Sequence, residues 1–442
     1  MPPRVLPGFG PVRHDGRVAS FAADPRPLTS LEDAEAYVAL VCFKHGPPGR
    51  AGVEHEWTVH HRDVPDRPLD PAVLGAALGP HAPATLVPDT PHIPLPGGSL
   101  VTVEPGGQIE ISSPPAAATS ALVELVDGDV AALDALLHPV GLERGAAAVD
   151  VHRPPRRILA VPRYAAMQDL FDGFGPWGRT MMCTTASTQV CLDAGEVTDL
   201  PLRWHALHAM GPALVALFAN SRRAHGADTG WASHRLRATL GTCPPSSLPL
   251  AAGPAADPVG AWVHRAMTSP LVCVRRNDGD WHADPAMTFG DWVRATDRPP
   301  PTYDDLDYHL GTIFPPVRPR GYVEVRYVDA QPDEHRHHPL LLLSALLSTP
   351  AVTGAAVEAA GRSADRWLTA ARHGLADPGL RESARALVTL AADHLDPLLP
   401  RRVTEPMLAN LDRRTDPGAH RTRRTDRHDG RAPADQTRRL PA

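Results

Sequence analysis

Gly52-Val53-Glu54-His55-Glu56-Trp57-Thr58-Val59 is the stretch on which the fold class turns. Side chains of a strand alternate between two faces, so Glu54 and Glu56 share one face while Val53, His55, Trp57 and Val59 share the other. The pattern returns at Val101-Thr102-Val103-Glu104-Pro105-Gly106-Gly107-Gln108-Ile109-Glu110-Ile111. There a Pro-Gly-Gly turn folds the segment back on itself, and Gln108 and Glu110 fall on one face. In Gly321-Tyr322-Val323-Glu324-Val325-Arg326-Tyr327-Val328-Asp329, Glu324 shares a face with Arg326.

Two carboxylates side by side on a strand repel each other. The repulsion is tolerated where water covers the face or where a cation sits between the acids. Magnesium takes oxygen ligands and keeps substrate phosphates among them. The planar guanidinium of arginine suits a phosphate as well. Carboxylates drawn from three strands could thus hold metal ions that clamp a polyphosphate, or could line the wet face of an antiparallel sheet. Strand alternation leaves both open.

Composition narrows the field. The chain has 442 residues, 44 Lys+Arg against 50 Asp+Glu, and a net charge of -6. It is long enough for a sizeable core, and its mild acidity offers no reason to expect a nucleic-acid partner. Lys44 is the only lysine and is expected near the end of a helix, which excludes a Walker A phosphate loop. Cys42, Cys183, Cys191, Cys243 and Cys273 show no CxxC spacing, so neither a disulfide framework nor a structural zinc site is expected. The first residues lack an apolar signal region. The greasiest run, Leu340 to Leu347, is far short of the roughly 20 residues of a membrane span. A cytoplasmic protein away from membranes is expected.

Residues 1–28 are rich in Pro and Arg and read as loosely ordered. A single catalytic domain is expected over 29–410. Its first helix starts at the capping-box spacings Thr29/Glu32 and Ser30/Asp33 and stops at Gly46-Pro47-Pro48. Further helices are expected over 119–138 and 203–220, a Pro/Ala/Ser-rich connection over 241–258, and a helical part over about 339–399. Residues 411–442 hold nine Arg and five Asp, a net of +4, and read as a disordered tail.

Some features look chemical but read as structural. Glu334-His335-Arg336-His337-His338 and His60-His61 are expected in solvated loops. Cys183 and Cys191 have no base at readable spacing and are expected to be buried structural thiols.

Taken in order, GVEHEW, VTVEPGGQIEISSPP, MMCTTASTQVCLDAG and RPRGYVEVRYVDAQP resemble the glutamate–cysteine ligase family, most of all its actinobacterial branch associated with ergothioneine biosynthesis. The likeness runs from about residue 30 to 400. It implies an α+β fold related to glutamine synthetase and the guanidino kinases, with a curved, mostly antiparallel sheet forming a funnel surrounded by helices. It also implies ATP-dependent joining of L-glutamate to L-cysteine through a γ-glutamyl phosphate, with Mg2+ and no covalent enzyme residue. Carried over by motif, Glu54, Glu56, Glu104, Glu110 and Glu324 are the candidate magnesium ligands. Arg326 is the candidate catalytic contact to the γ-phosphate, while Gln189, Gln108 and Arg235 are candidate substrate or nucleotide contacts. Relatives often carry asparagine at the position of Cys191 and proline at that of Arg222, which bears on the choice of amine. Joining glutamate to another amine, or binding nucleotide without turnover, are the alternatives.

Overall fold

The computed structural model describes residues 24–250, 253, 256–276, 279–396 and 404–413. Six strands form its main sheet: β1 (Ala51–Trp57), β2 (Leu100–Val103), β3 (Ile109–Ser112), β4 (Ser187–Leu192), β5 (Val317–Pro319) and β6 (Val323–Asp329). They lie in the order β2-β3-β1-β4-β6-β5, every neighbouring pair antiparallel. The sheet is open, with β2 and β5 at its edges, so the expected funnel is an open trough rather than a closed barrel.

The register makes the two faces chemically distinct. Glu54 lies opposite Gln189 and Ser112, Glu56 opposite Glu110, Glu110 opposite Thr102, and Glu324 opposite both Cys191 and Arg318. Paired residues point to the same side, so all of these share one polar face. The other face carries Val53, Trp57, Val101, Val103, Ile109, Ile111, Val190, Val323 and Val325, each essentially buried. Against it pack the helices α3 (Leu200–Phe218), on β6, and α6 (His338–Leu346), on β4. Helix α3 begins earlier than position 203 and is buried nearly all round, as befits a helix at the centre of a core.

Helix α1 (Leu31–Cys42) starts where the sequence expects it, with the Ser30 hydroxyl accepting from the Asp33 amide at 3.0 Å. It ends four residues before Gly46. Phe43 is already extended, and its buried ring sits 6.0 Å from that of Trp204, so core packing outcompetes the glycine stop signal.

Three expectations need correction. Residues 24–28 are not loose: Leu28 is fully buried and donates to the Pro301 carbonyl at 2.8 Å, and the Asp24 amide donates to Asp304 at 2.7 Å. At the other end, the helix Thr404–Arg413 runs past the boundary at 410 and buries Met407 and Leu411. Residues 1–23 and 414–442 lie outside the described residues. The histidine tracts are built in rather than solvated. His60 and His61 are buried in the strand Val59–His61, and His338 opens α6. His337 pairs with Asp127 at 2.7 Å. No single described helix is long and apolar enough to cross a membrane.

Candidate active site

The polar face gathers the expected carboxylates. Glu54 and Glu56 stand on β1 and Glu110 on β3. Glu324 is on β6, and Glu104 follows β2 in the turn that leads to β3. This turn is closed by the Glu104 amide donating to the Gln108 carbonyl and the Gly107 amide to the Glu104 carbonyl, both at 2.8 Å. Gly106 has no substitute there. A Cβ on it would run into the main-chain carbonyl of Cys183, on helix α2 (Trp177–Thr184).

Gln189 is the junction of the face. Its Nε2 donates to Glu56 Oε1 at 2.8 Å and to Glu110 Oε2 at 3.3 Å, while its Oε1 accepts from Arg326. Glu56 also accepts from the Ser187 amide at 2.7 Å, and Glu110 from Thr102 Oγ1 at 2.8 Å. The pairing of β6 with β4 shifts register between Val325 and Val328. The Arg326 guanidinium lies on Gln189 and Glu324 together.

Glu324 is held from two sides. Arg318 donates Nε to Oε2 at 2.7 Å and Nη2 to Oε1 at 3.0 Å, and Arg326 donates to Oε1. Burial works against its charge, but the two guanidiniums overcome that and hold the carboxyl down at about 2. The other acids go the opposite way. Burial, followed by the repulsion of Glu324, raises Glu54 to about 7. Burial and the charge of Glu56 raise Glu104 to about 7. Burial with Glu54 and Glu56 lifts Glu110 well above the usual carboxylate range. Neither the Glu54 nor the Glu104 carboxylate has a hydrogen-bond or ion-pair partner among the described residues. The face therefore gathers more carboxyls than its own arginines pair, and a bound cation would favour their ionised forms.

Two candidates are engaged elsewhere. Gln108 donates its amide to the main-chain carbonyls of Met182 (3.3 Å) and Thr185 (2.9 Å) and braces the turn to α2. Arg235, on the helix α4 (His234–Thr242), donates Nη2 to the Arg326 carbonyl at 2.7 Å and lies 3.9 Å from Asp329. It backs the strand that carries Arg326. Asp329 is the anchor of this brace and accepts from the Asn220 amide, Ser221 Oγ and Ser233 Oγ at 2.7–2.9 Å.

Sequence reasoning missed the further cations. Arg318 enters because the β5–β6 hairpin places it opposite Glu324; counting back across the turn at Gly321 (φ 80°) would have found it. The charge of Arg320 is felt by Glu54 and Glu324, and that of Arg163 by Glu104. Cys191 lies on the same face, opposite Gly52 and Glu324, and burial followed by the charge of Glu54 lifts its thiol well above the usual range. Arg222 is exposed and pairs with Asp228 at 2.9 Å.

The chain is similar to known proteins along most of its length. The profile of glutamate-cysteine ligase family 2 matches residues 50–441. The chain is 36% identical over 414 residues to a glutamate–cysteine ligase, EgtA, of Mycolicibacterium smegmatis, covering 92% of this chain and 93% of that one. It is 35% identical to the Mycobacterium tuberculosis protein of the same name, with 89% of each chain covered. Among solved structures, a glutamate–cysteine ligase from Francisella tularensis in complex with AMP aligns with a TM-score of 0.47 at 13% identity, over 85% of this chain and 83% of that one. A glutamate–cysteine ligase from rice chloroplasts is 30% identical over 353 residues, 73% of this chain and 69% of that one. Between the extended match to the family profile and the length of the shared alignments, the chain belongs to glutamate–cysteine ligase family 2.

Proposed function

We propose that this protein joins the γ-carboxylate of L-glutamate to the amine of L-cysteine at the expense of ATP, giving γ-glutamylcysteine, ADP and phosphate. The observation that carries the reading is the single polar sheet face on which Glu54, Glu56, Glu104, Glu110 and Glu324 converge around Arg326 and Gln189. A carboxylate is a poor acyl donor until one of its oxygens becomes part of a leaving group. In the first step a γ-carboxylate oxygen of glutamate attacks the γ-phosphorus of ATP, and the bond to the β–γ bridging oxygen breaks to release ADP. In the second step the cysteine amine attacks the acyl carbon, phosphate leaves with the former carboxylate oxygen, and the amine sheds its extra proton. Both steps call for positioning and charge neutralisation rather than for an enzyme nucleophile.

Mg2+ fits the donor set. Glu54, Glu104 and Glu110 are carboxyls without an arginine partner among the described residues and would hold it, with Glu56 and Glu324 beside them. Among the described residues no three His, Cys, Asp or Glu side chains are grouped so as to hold a metal ion by themselves, so Mg2+ here would need further oxygens from substrate phosphates. When bound, Mg2+ would offset the charge of the phosphates. Arg326, fixed by Gln189 and Glu324, would meet the γ-phosphate with its free guanidinium edge. Arg318 keeps Glu324 ionised, and Arg235 keeps the Arg326 strand in place.

The use of ATP and a reduced amino-acid thiol is in keeping with a cytoplasmic reaction, and the likeness to the actinobacterial branch points the product toward ergothioneine. The test is ADP release by the purified protein with Mg-ATP, omitting glutamate and cysteine in turn, with mass spectrometry of the product. Release that needs both amino acids and yields the γ-glutamylcysteine mass is expected. Release with glutamate but indifferent to cysteine would redirect the reading to another amine, and none under any combination would leave a nucleotide-binding protein without turnover.

A further inference from the structure

Behind the turn that carries Glu104 lies a recess of about 200 Å³, lined by Pro155, Arg156, Arg157, Gln168, Arg179 and Cys183. It contains three guanidiniums and no acid in its lining. Arg179 shares its charge with Asp172, to which its Nε donates at 3.0 Å. Neither Arg156 nor Arg157 has a carboxylate partner among the described residues. Arg157 is held instead by neutral acceptors: its Nε donates to Gln168 Oε1 at 3.3 Å and its Nη1 to the Leu159 carbonyl at 3.0 Å. Such bonds fix the guanidinium and leave its charge and its Nη2 edge uncommitted, the arrangement in which arginine recognises planar or tetrahedral oxyanions.

The recess is built into the frame of the active site without being part of its polar face. Ile158 and Leu159, the residues after Arg157, donate their amides to the Pro105 carbonyl at 2.8 and 3.3 Å. Cys183, in its wall, is the residue whose carbonyl abuts Gly106. Both of these contacts meet the turn that ends in Gln108.

We propose that this recess is a second binding site, for a small molecule bearing an oxyanion, either a phosphate group or a carboxylate. The geometry requires nothing of the ligation chemistry, so the site stands or falls by itself.

The test is calorimetric titration of the full chain, free of Mg2+ and cysteine so that no turnover occurs, with inorganic phosphate, ATP and L-glutamate as separate probes. At least one should bind the unaltered protein, and hydrogen exchange should slow at residues 105–108 and 156–159 when it does. The double variant Arg156→Gln/Arg157→Gln should bind that probe about tenfold more weakly or worse, the usual loss on removing charge-assisted hydrogen bonds. Its melting temperature should stay unchanged. Loss of phosphate and ATP binding assigns the site to a phosphate group, and loss of glutamate binding assigns it to a carboxylate. If none of the three binds, or if the variant binds as tightly as the parent, the proposal is wrong. Should the double variant fold poorly, Arg156→Gln alone alters an exposed side chain and carries the same comparison.

Discussion

Arg318 and Glu324 meet fork to fork beneath the polar face, at 2.7 and 3.0 Å, with Glu324 fully buried and Arg318 nearly so. A buried pair of this kind adds little over an apolar pair, but breaking it leaves a charge stranded, at a cost of about 3–5 kcal/mol. Arg318→Gln should therefore lower the urea midpoint sharply. Arg318→Lys keeps the charge and loses the fork, so it should retain most of the stability while turnover falls by about tenfold. A lysine variant with full ADP release would show that the orientation of Glu324 does not matter.

Glu54 shows the opposite balance, between folding and function. Its carboxyl is raised by burial and by Glu324 to about 7. An acid whose folded value is raised favours folding in its protonated form, so the ionised form works against the fold as pH rises from about 4.5 to about 7. Glu54→Gln removes that penalty and should melt a few degrees higher at pH 8, by about 1–2 kcal/mol. The gain should fade as the pH is lowered through this window. Turnover should be abolished, the usual exchange at a site kept strained for its ligand. Adding Mg2+ should raise the melting temperature of the parent more than that of the variant. Scanning fluorimetry between pH 5 and 8 reads all three effects.

What could be read from the sequence was local. Alternation placed Glu54, Glu56, Glu110, Glu324 and Arg326 correctly relative to their strand neighbours, because the period of two is a property of the strand itself. Partners across the sheet were not legible. Glu54 lies beside Gln189, 135 positions later (189 − 54), through a register set by long-range packing. Arg318 went unnoticed because its place opposite Glu324 shows only when the pairing is counted back across the turn at Gly321. Gln108 belongs to the turn rather than to a strand, so alternation could not say where its amide would go. The ends of the domain shifted for the same reason: Leu28 and Leu411 lie in charged, Pro-rich or Arg-rich surroundings, and only the folded core shows that it has room for them.

Gly106→Ala tests how tightly the Glu104 turn is set. The added methyl has backbone to contend with, not a flexible side chain, because it points into the Cys183 carbonyl. Either the turn or α2 must move, and the bond from Gln108 to the Thr185 carbonyl at 2.9 Å ties the two together. Overpacking of this kind costs about 1–3 kcal/mol. The variant should fold, melt lower and lose at least tenfold in ADP release. Gly128→Ala is the control: it sits in a helix with nothing within 4 Å of its Cβ and should be neutral to slightly stabilising, by under about 1 kcal/mol. Equal behaviour of the two variants would mean that the turn yields freely.

Asp307, on the helix α5 (Tyr303–Leu310), makes the contact between that helix and Tyr37 of α1 dependent on pH. It accepts from the Tyr37 hydroxyl at 3.0 Å, and its second oxygen is buried without a hydrogen-bond partner. Burial raises its carboxyl to about 6; the Tyr37 bond opposes this, and the charges of Asp304 and Asp24 add to it. The protonated form is again the one the fold prefers, so this contribution is whole below about 3.8 and is lost as pH rises through about 6. The site is partly open to solvent, which brings the effect down to about 1 kcal/mol. Asp307→Asn keeps the acceptor for Tyr37 and never ionises. Its advantage in melting temperature over the parent should grow from pH 5 to pH 7 and then level off, with ADP release unchanged throughout. A difference independent of pH would mean that the gain comes from the amide's own hydrogen bonds and not from the charge it removes.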